Sequence, residues 1–165
     1  VIVGIARGGL VPAVLLSDEL LLKNFLIIRL ERYWLGKRKA AKAIKITQSL
    51  PGSLRGKKVL LVDDITDHGG SLARAKEVLE KLHPAELRTA VLEHKVISIF
   101  KPDYCAHTIR KWRWIVYPWT RQETLADLAR RVAGKKTSPA VIVRRLHERF
   151  GLRVTPHEVE RALGK

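Results

Sequence analysis

The sequence predicts an α/β fold: a mainly parallel sheet flanked by helices, followed by a small helical C-terminal appendage. Three observations lead there. Strand-like and helix-like segments alternate as far as Trp119. Two Gly-Gly turns and an Asp-Asp pair stand at the carboxyl ends of strand-like runs, where open α/β sheets bind ligands. After Trp119 only helix start and stop signals remain.

Val1–Ile5 is a β-branched run that leads into a glycine-rich turn, Ala6-Arg7-Gly8-Gly9. Pro12 opens a helix to about Leu22, with Val11, Val14, Leu15 and Leu22 at helical spacing. Phe25–Leu30 reads as a strand. Glu31–Lys45 carries Arg32, Lys37, Arg38, Lys39, Lys42 and Lys45 with poor periodicity and reads as a basic loop or flap. Lys57–Val62 is an apolar strand after two lysines, and it delivers Asp63-Asp64. Gly69-Gly70 precede a helix over Leu72–Leu82, with Leu72, Ala75, Val78, Leu79 and Leu82 on one face. Leu87–Leu92 and Tyr104–Ile109 are further strands. Thr120 with Glu123, Ser138-Pro139, and Thr155-Pro156 with Glu158 start three helices, the first and third with capping boxes. The expected organisation is a core over 1–119, with a flap at about 31–45 and a ligand-reading segment at about 95–119, then a three-helix appendage over 120–165.

Composition narrows the class. In 165 residues, 46% are hydrophobic, which excludes a disordered chain. No apolar run reaches the ~18–20 residues needed to span a bilayer. A secretory leader is not expected, because the chain opens on a buried-type strand. It also holds no methionine, which implies either residues upstream of Val1 or methionines missing from the sequence. Cys105 is the single cysteine, so no internal disulfide or zinc cluster forms, and the cytoplasm is the natural compartment. The net charge of +16 calls for an anionic partner, either nucleic acid or a phosphorylated small molecule.

The informative string runs from Val59 to Ser71: Val-Leu-Leu-Val-Asp-Asp-Ile-Thr-Asp-His-Gly-Gly-Ser. Gly69 and Gly70 let backbone N–H groups converge on a phosphate, the new helix adds the positive end of its dipole, and Ser71 adds a hydroxyl. Asp63 and Asp64 are hard oxygen groups suited to ribose hydroxyls and to Mg²⁺. Asp67 and His68 sit within the loop. The string lacks the Lys-Ser/Thr of a Walker site.

This string resembles the 5-phosphoribosyl 1-pyrophosphate motif of type I phosphoribosyltransferases, and Ala6-Arg7-Gly8-Gly9-Leu10-Val11-Pro12 resembles the 6-oxopurine branch of that family. The resemblance covers about Val1 to Trp119. It implies transfer of phosphoribose to hypoxanthine, guanine or xanthine with Mg²⁺ as cofactor. Arg7, Gly8 and Gly9 would form the pyrophosphate loop, with a non-proline cis peptide. Asp67, His68, Gly69, Gly70 and Ser71 would hold the sugar phosphate, with Asp67 as general base and Asp63 and Asp64 beside the ribose and the metal. Lys95 resembles the lysine that contacts the 6-oxo group. The run Trp114-Ile115 with Pro118-Trp119 resembles the xanthine–guanine enzymes, in which the tryptophan stacks on the purine and the isoleucine backbone reads its edge. Trp112 and Trp119 read instead as core or interface anchors. Arg32 and Tyr33 would belong to a flap that closes over the site. A homo-oligomer, a dimer or more, is implied as well.

Besides a pure oligomeric scaffold, which the three matching motifs argue against, two alternatives stand beside this reading. One is a purine-responsive transcription regulator on the same fold. The basic residues Arg144, Arg145, Arg149 and Arg153 of the appendage favour it, as a nucleic-acid face. The other is transfer to adenine or a pyrimidine, and Lys95 argues against adenine, whose 6-amino group is itself a donor.

Overall fold

The β-branched runs pair side by side. In the computed structural model, which describes residues 1–35, 41–48, 50, 52–134 and 137–164, six strands form one sheet in the order β3-β2-β1-β4-β5-β6. They are β1 (Ile2–Ala6), β2 (Phe25–Leu35), β3 (Ala41–Gln48), β4 (Lys58–Thr66), β5 (Glu86–Lys95) and β6 (Tyr104–Ile109). Every neighbouring pair is parallel except β2 with β3. The helix α1 (Leu10–Glu19) joins β1 to β2, and α2 (Gly70–Glu80) joins β4 to β5, as parallel neighbours require.

Alternate strand residues face opposite sides of the sheet, and each side has its own core. Val3, Ile5, Ile28, Leu61 and Val91 pack with Leu72, Ala75 and Leu79 of α2. Ile2, Val62 and Ala90 pack with Ala13 of α1. Leu61 and Val62 thus face opposite sides, and the same alternation carries on to Asp63 and Asp64.

Three expectations are corrected. The basic segment read as a loop is mostly a strand pair: β2 runs on to Leu35 and β3 starts at Ala41, with the intervening residues 36–40 outside the described ones. Tyr33, Trp34, Ile44, Ile46 and Thr47 are strand formers, and the lysines suit β3 as an edge strand. Next, β4 does not stop at Val62. Asp63, Ile65 and Thr66 stay in register with Val91, Glu93 and His94 of β5, so tertiary pairing overrides the weak strand preference of aspartate. Finally, α1 buries Pro12 and Ala13, while Val14 and Leu15 are exposed. Its sequence is apolar on nearly every side, so periodicity could not select the buried face.

The chain divides into two compact units, Val1–Trp112 and Arg113–Lys165. The second holds a 3₁₀ turn (Pro118–Thr120), α3 (Arg121–Val132), α4 (Pro139–Phe150) and α5 (Pro156–Leu163). Its core is Leu125, Leu128, Ala129 and Val132 of α3, Ile142 and Leu146 of α4, and Val159 of α5. The capping box read at Thr120 does not form. Thr120 already belongs to the 3₁₀ turn, and its hydroxyl donates to the Tyr117 carbonyl at 3.5 Å. The box at Thr155 does form: its hydroxyl accepts from the Glu158 N–H at 3.2 Å, and its own N–H donates to Glu158 at 2.8 Å.

That box gives a pH prediction. The Thr155 N–H, and then the Arg121 guanidinium, hold the Glu158 carboxyl down at about 2, below its ordinary 4.5. A depressed folded-state value means that the stabilisation is present above 4.5 and lost as pH falls toward 2. Helical circular dichroism should fall over that window, and Glu158→Gln should remove this acid-dependent part while lowering stability at neutral pH. An unaltered acid profile in the variant would count against the box as the titrating element.

Candidate active site

The carboxyl end of β1 turns sharply against β4. The Ala6–Arg7 peptide bond is cis. The Gly9 N–H donates to the Ile5 carbonyl at 3.0 Å, and α1 begins at once. Space at this turn is minimal. A Cβ on Gly9 would lie 2.5 Å from the Val62 carbonyl oxygen and 2.8 Å from the Asp63 Cα, and one on Gly8 would run into the Asp64 carboxylate. The glycine turn is therefore seated directly on the acidic end of β4.

Beyond Thr66, the loop Asp67-His68-Gly69 leads into α2. Gly69 is the N-cap with φ +82°, in the region that favours glycine, and no side chain caps the helix. The positive end of the α2 dipole therefore has no side-chain cap, a setting that suits an anion. A Cβ on Gly69 would lie 2.5 Å from Ser98 Oγ and 2.7 Å from Phe100 Cβ. The turn after β5 thus packs against the loop, and the Ile99 N–H donates to the His68 carbonyl at 3.4 Å.

The acidic groups differ in setting. Asp63 and Asp64 are buried, at 7% and 9% exposure, and the Asp64 N–H donates to Asp63 Oδ1 at 3.0 Å. Asp67 accepts from Lys95 Nζ at 2.6 Å and lies 3.2 Å from His68 Nδ1. Burial pushes the Asp67 carboxyl up. The hydrogen bond and charge of Lys95, joined by those of His68, outweigh it and hold the group below its ordinary value. Lys95 is only 3% exposed, and its ammonium also lies 4.9 Å from the centre of the Trp112 ring. A buried ammonium is thus held between a carboxylate and an aromatic face, an arrangement that compensates its lost hydration.

These residues fit Mg²⁺. That ion takes one or two carboxylates from a protein and fills its remaining positions with water and substrate oxygens. Asp64 supplies one such group directly against the glycine turn, and the adjacent Asp63 supplies another from the opposite face of β4.

The structure gathers Arg7, Gly8, Gly9, Asp63, Asp64, Asp67, His68, Gly69, Gly70, Ser71 and Lys95 in the first unit, at the carboxyl edge of the parallel strands. Trp114 and Ile115 belong to the second unit. There Trp114 meets Phe150 edge-on, with ring centres 5.9 Å apart, and Arg131 lies 5.5 Å from its centre. Arg32 and Tyr33 lie within β2, paired through the backbone with Ile44 and Ala43. Ser98 and Phe100 carry no motif that marks them in the sequence, and Trp112, expected as a core or interface anchor, is exposed. Nothing in the spacing of Trp112 signals that its ring faces Lys95.

A family model described as the phosphoribosyl transferase domain matches residues 1–124. A xanthine-guanine phosphoribosyltransferase of Nitratidesulfovibrio vulgaris is 29% identical over 119 residues, covering 72% of this chain and 67% of that protein. The crystal structure of a purine phosphoribosyltransferase from Pyrococcus horikoshii is similar with a TM-score of 0.64 and 38% identity, over 72% of this chain and 74% of that one. A xanthine-guanine-hypoxanthine phosphoribosyltransferase of Helicobacter pylori gives a TM-score of 0.58 at 28% identity, over 67% and 71% of the two chains.

Proposed function

This chain belongs to the phosphoribosyl transferase domain family, and from that membership we propose that it transfers the 5-phosphoribosyl group of 5-phosphoribosyl 1-pyrophosphate to a 6-oxopurine in purine salvage. The products are the nucleoside monophosphate and pyrophosphate. The observation that carries the choice of base is the buried Lys95 ammonium bonded to Asp67 at the edge of the phosphate loop. It joins a donor for a 6-oxo group to a carboxylate able to take a proton from the same ring.

The glycine turn Arg7–Gly9 receives the pyrophosphate, and the N-terminus of α2 with Ser71 receives the 5-phosphate. Asp63 and Asp64 accept hydrogen bonds from the ribose hydroxyls and would hold Mg²⁺, which when bound offsets negative charge on the pyrophosphate. The bond from C1 to the pyrophosphate oxygen breaks through an oxocarbenium-like state, and the bond from C1 to purine N9 forms. Asp67 accepts the N7 proton. As the 6-oxo group takes over Lys95, Asp67 loses the partner that suppresses its basicity and becomes a better base when the substrate arrives. For Trp114 and Ile115 as base-reading residues, and for Arg32 and Tyr33 as flap residues, the support is the sequence resemblance alone.

The reading extends to a cytoplasmic homo-oligomer. No helix among the described residues is long and apolar enough to cross a membrane. The relatives above are transferases by name and lend the regulator alternative no support. The test is a panel assay with hypoxanthine, guanine, xanthine and adenine, each with 5-phosphoribosyl 1-pyrophosphate, with and without Mg²⁺, followed by chromatography of the nucleotide formed. Turnover of a 6-oxopurine and none of adenine is expected. Turnover of adenine alone, or of no base, would overturn the proposal.

A further inference from the structure

The C-terminal unit has a core of its own, and the family match ends at residue 124, before α4 and α5 begin. The transferase chemistry therefore leaves its surface unexplained. That surface is strongly basic: residues 113–165 contain twelve Lys+Arg against five Asp+Glu. Helix α4 buries Ile142 and Leu146 and exposes Arg144, Arg145 and Arg149, and Arg153 is exposed just past the Gly151 cap. Arg145 donates to the Val132 carbonyl at 2.7 Å, which ties this row to the end of α3, whose last turn carries Arg130 and Arg131. The one acid on the row is Glu148, 3.9 Å from Arg144. Among the described residues, Arg149 and Arg153 show no side-chain ion pair.

We infer that the exposed arginines of α4, with Arg153, form a binding site for duplex nucleic acid, held through its backbone phosphates without sequence preference. Arg145 and Arg149, four residues apart on α4, stand ~6 Å apart along its axis, and each guanidinium presents a planar fork that matches a phosphate. Among the described residues of this unit no large hydrophobic side chain is exposed. The unit therefore offers no platform on which the bases of a single strand would stack, which favours a duplex.

The inference is independent of the proposed transferase activity and is tested on the full chain. A fluorescent duplex DNA of random sequence is titrated between 50 and 200 mM salt and followed by anisotropy. For four phosphate contacts, one per arginine, the slope of log K against log salt is about −3.6, a loss of about 150-fold over that range. Arg149→Gln with Arg153→Gln should lower the magnitude of that slope by about 1.8 while leaving nucleotide formation unchanged. Glu148→Lys should tighten binding and steepen the slope by about 0.9. A control pair on exposed lysines of the first unit, Lys57→Gln with Lys101→Gln, should leave the slope as it is. Absence of binding at 50 mM salt, an equal drop in the control, no gain from Glu148→Lys, or tighter binding of a single strand of the same length would each overturn the inference.

Discussion

Replacing Asp67 with asparagine should lower kcat by about 10²–10⁴-fold and change the KM for either substrate far less. Asparagine keeps the shape and can still accept from Lys95, so the loop proposed to hold the sugar phosphate is preserved. What it cannot do is take a proton. In the free protein Lys95 and His68 keep the Asp67 carboxyl below its ordinary value, so it is ionised at neutral pH. The acid limb of kcat/KM assigned to it should lie below the usual carboxylate range and should vanish in the variant. The same shift affects stability. A lowered folded-state value stabilises the fold above the unfolded-state value, and the contribution is lost as pH falls through the lowered one. Asp67→Asn should therefore lower the Tm at neutral pH, because it leaves the buried Lys95 ammonium without its charged partner. The double variant Asp67→Asn with Lys95→Met separates the two effects: it should regain thermal stability and stay inactive. A double variant that recovers turnover would remove Asp67 from the mechanism.

How far the site could be read in advance depended on whether its residues are neighbours in sequence. Asp63 to Ser71 form one string, and the physics of that string is local: an apolar strand, two glycines and a helix start. The structure places it at a strand-to-helix junction, with Gly69 as the left-handed N-cap. The buried face of α2 was legible for a similar reason, since Leu72, Ala75 and Leu79 recur at one helical spacing amid polar residues. What stayed hidden was set by tertiary contact. The extension of β4 through Thr66 depends on β5 being alongside. The packing of Ser98 and Phe100 on Gly69 depends on the return of the chain after Lys95. The lysine-rich segment has the charge of a loop and the strand preference of a sheet, and an edge strand tolerates both.

The second large effect is expected at Gly9, and the reason is space rather than backbone freedom. Gly9 has φ −70° and ψ −8°, a conformation open to alanine. Yet an added Cβ would sit 2.5 Å from the Val62 carbonyl oxygen, 2.8 Å from the Asp63 Cα and 2.9 Å from the Ile5 carbonyl oxygen. All three are main-chain atoms of paired central strands, so none can swing aside as a side-chain tip would. The turn itself must lift off β4, carrying the Arg7–Gly9 amides away from the acids beneath them. Overpacking of this kind costs about 1–3 kcal/mol, which for a chain of this size lowers the Tm by about 2–12 °C. Gly9→Ala should also raise the KM for 5-phosphoribosyl 1-pyrophosphate more than the KM for the purine, because the displaced amides are the ones proposed to receive the pyrophosphate. Gly56→Ala is the contrasting case: a Cβ there meets nothing within 4 Å, although φ is +73°. That variant should show a cost from backbone strain of about 1–2 kcal/mol and unaltered kinetics. If both alanine variants lost stability alike and neither changed the KM for the phosphoribosyl donor, the glycine turn would be a packing device and the pyrophosphate would have to bind elsewhere.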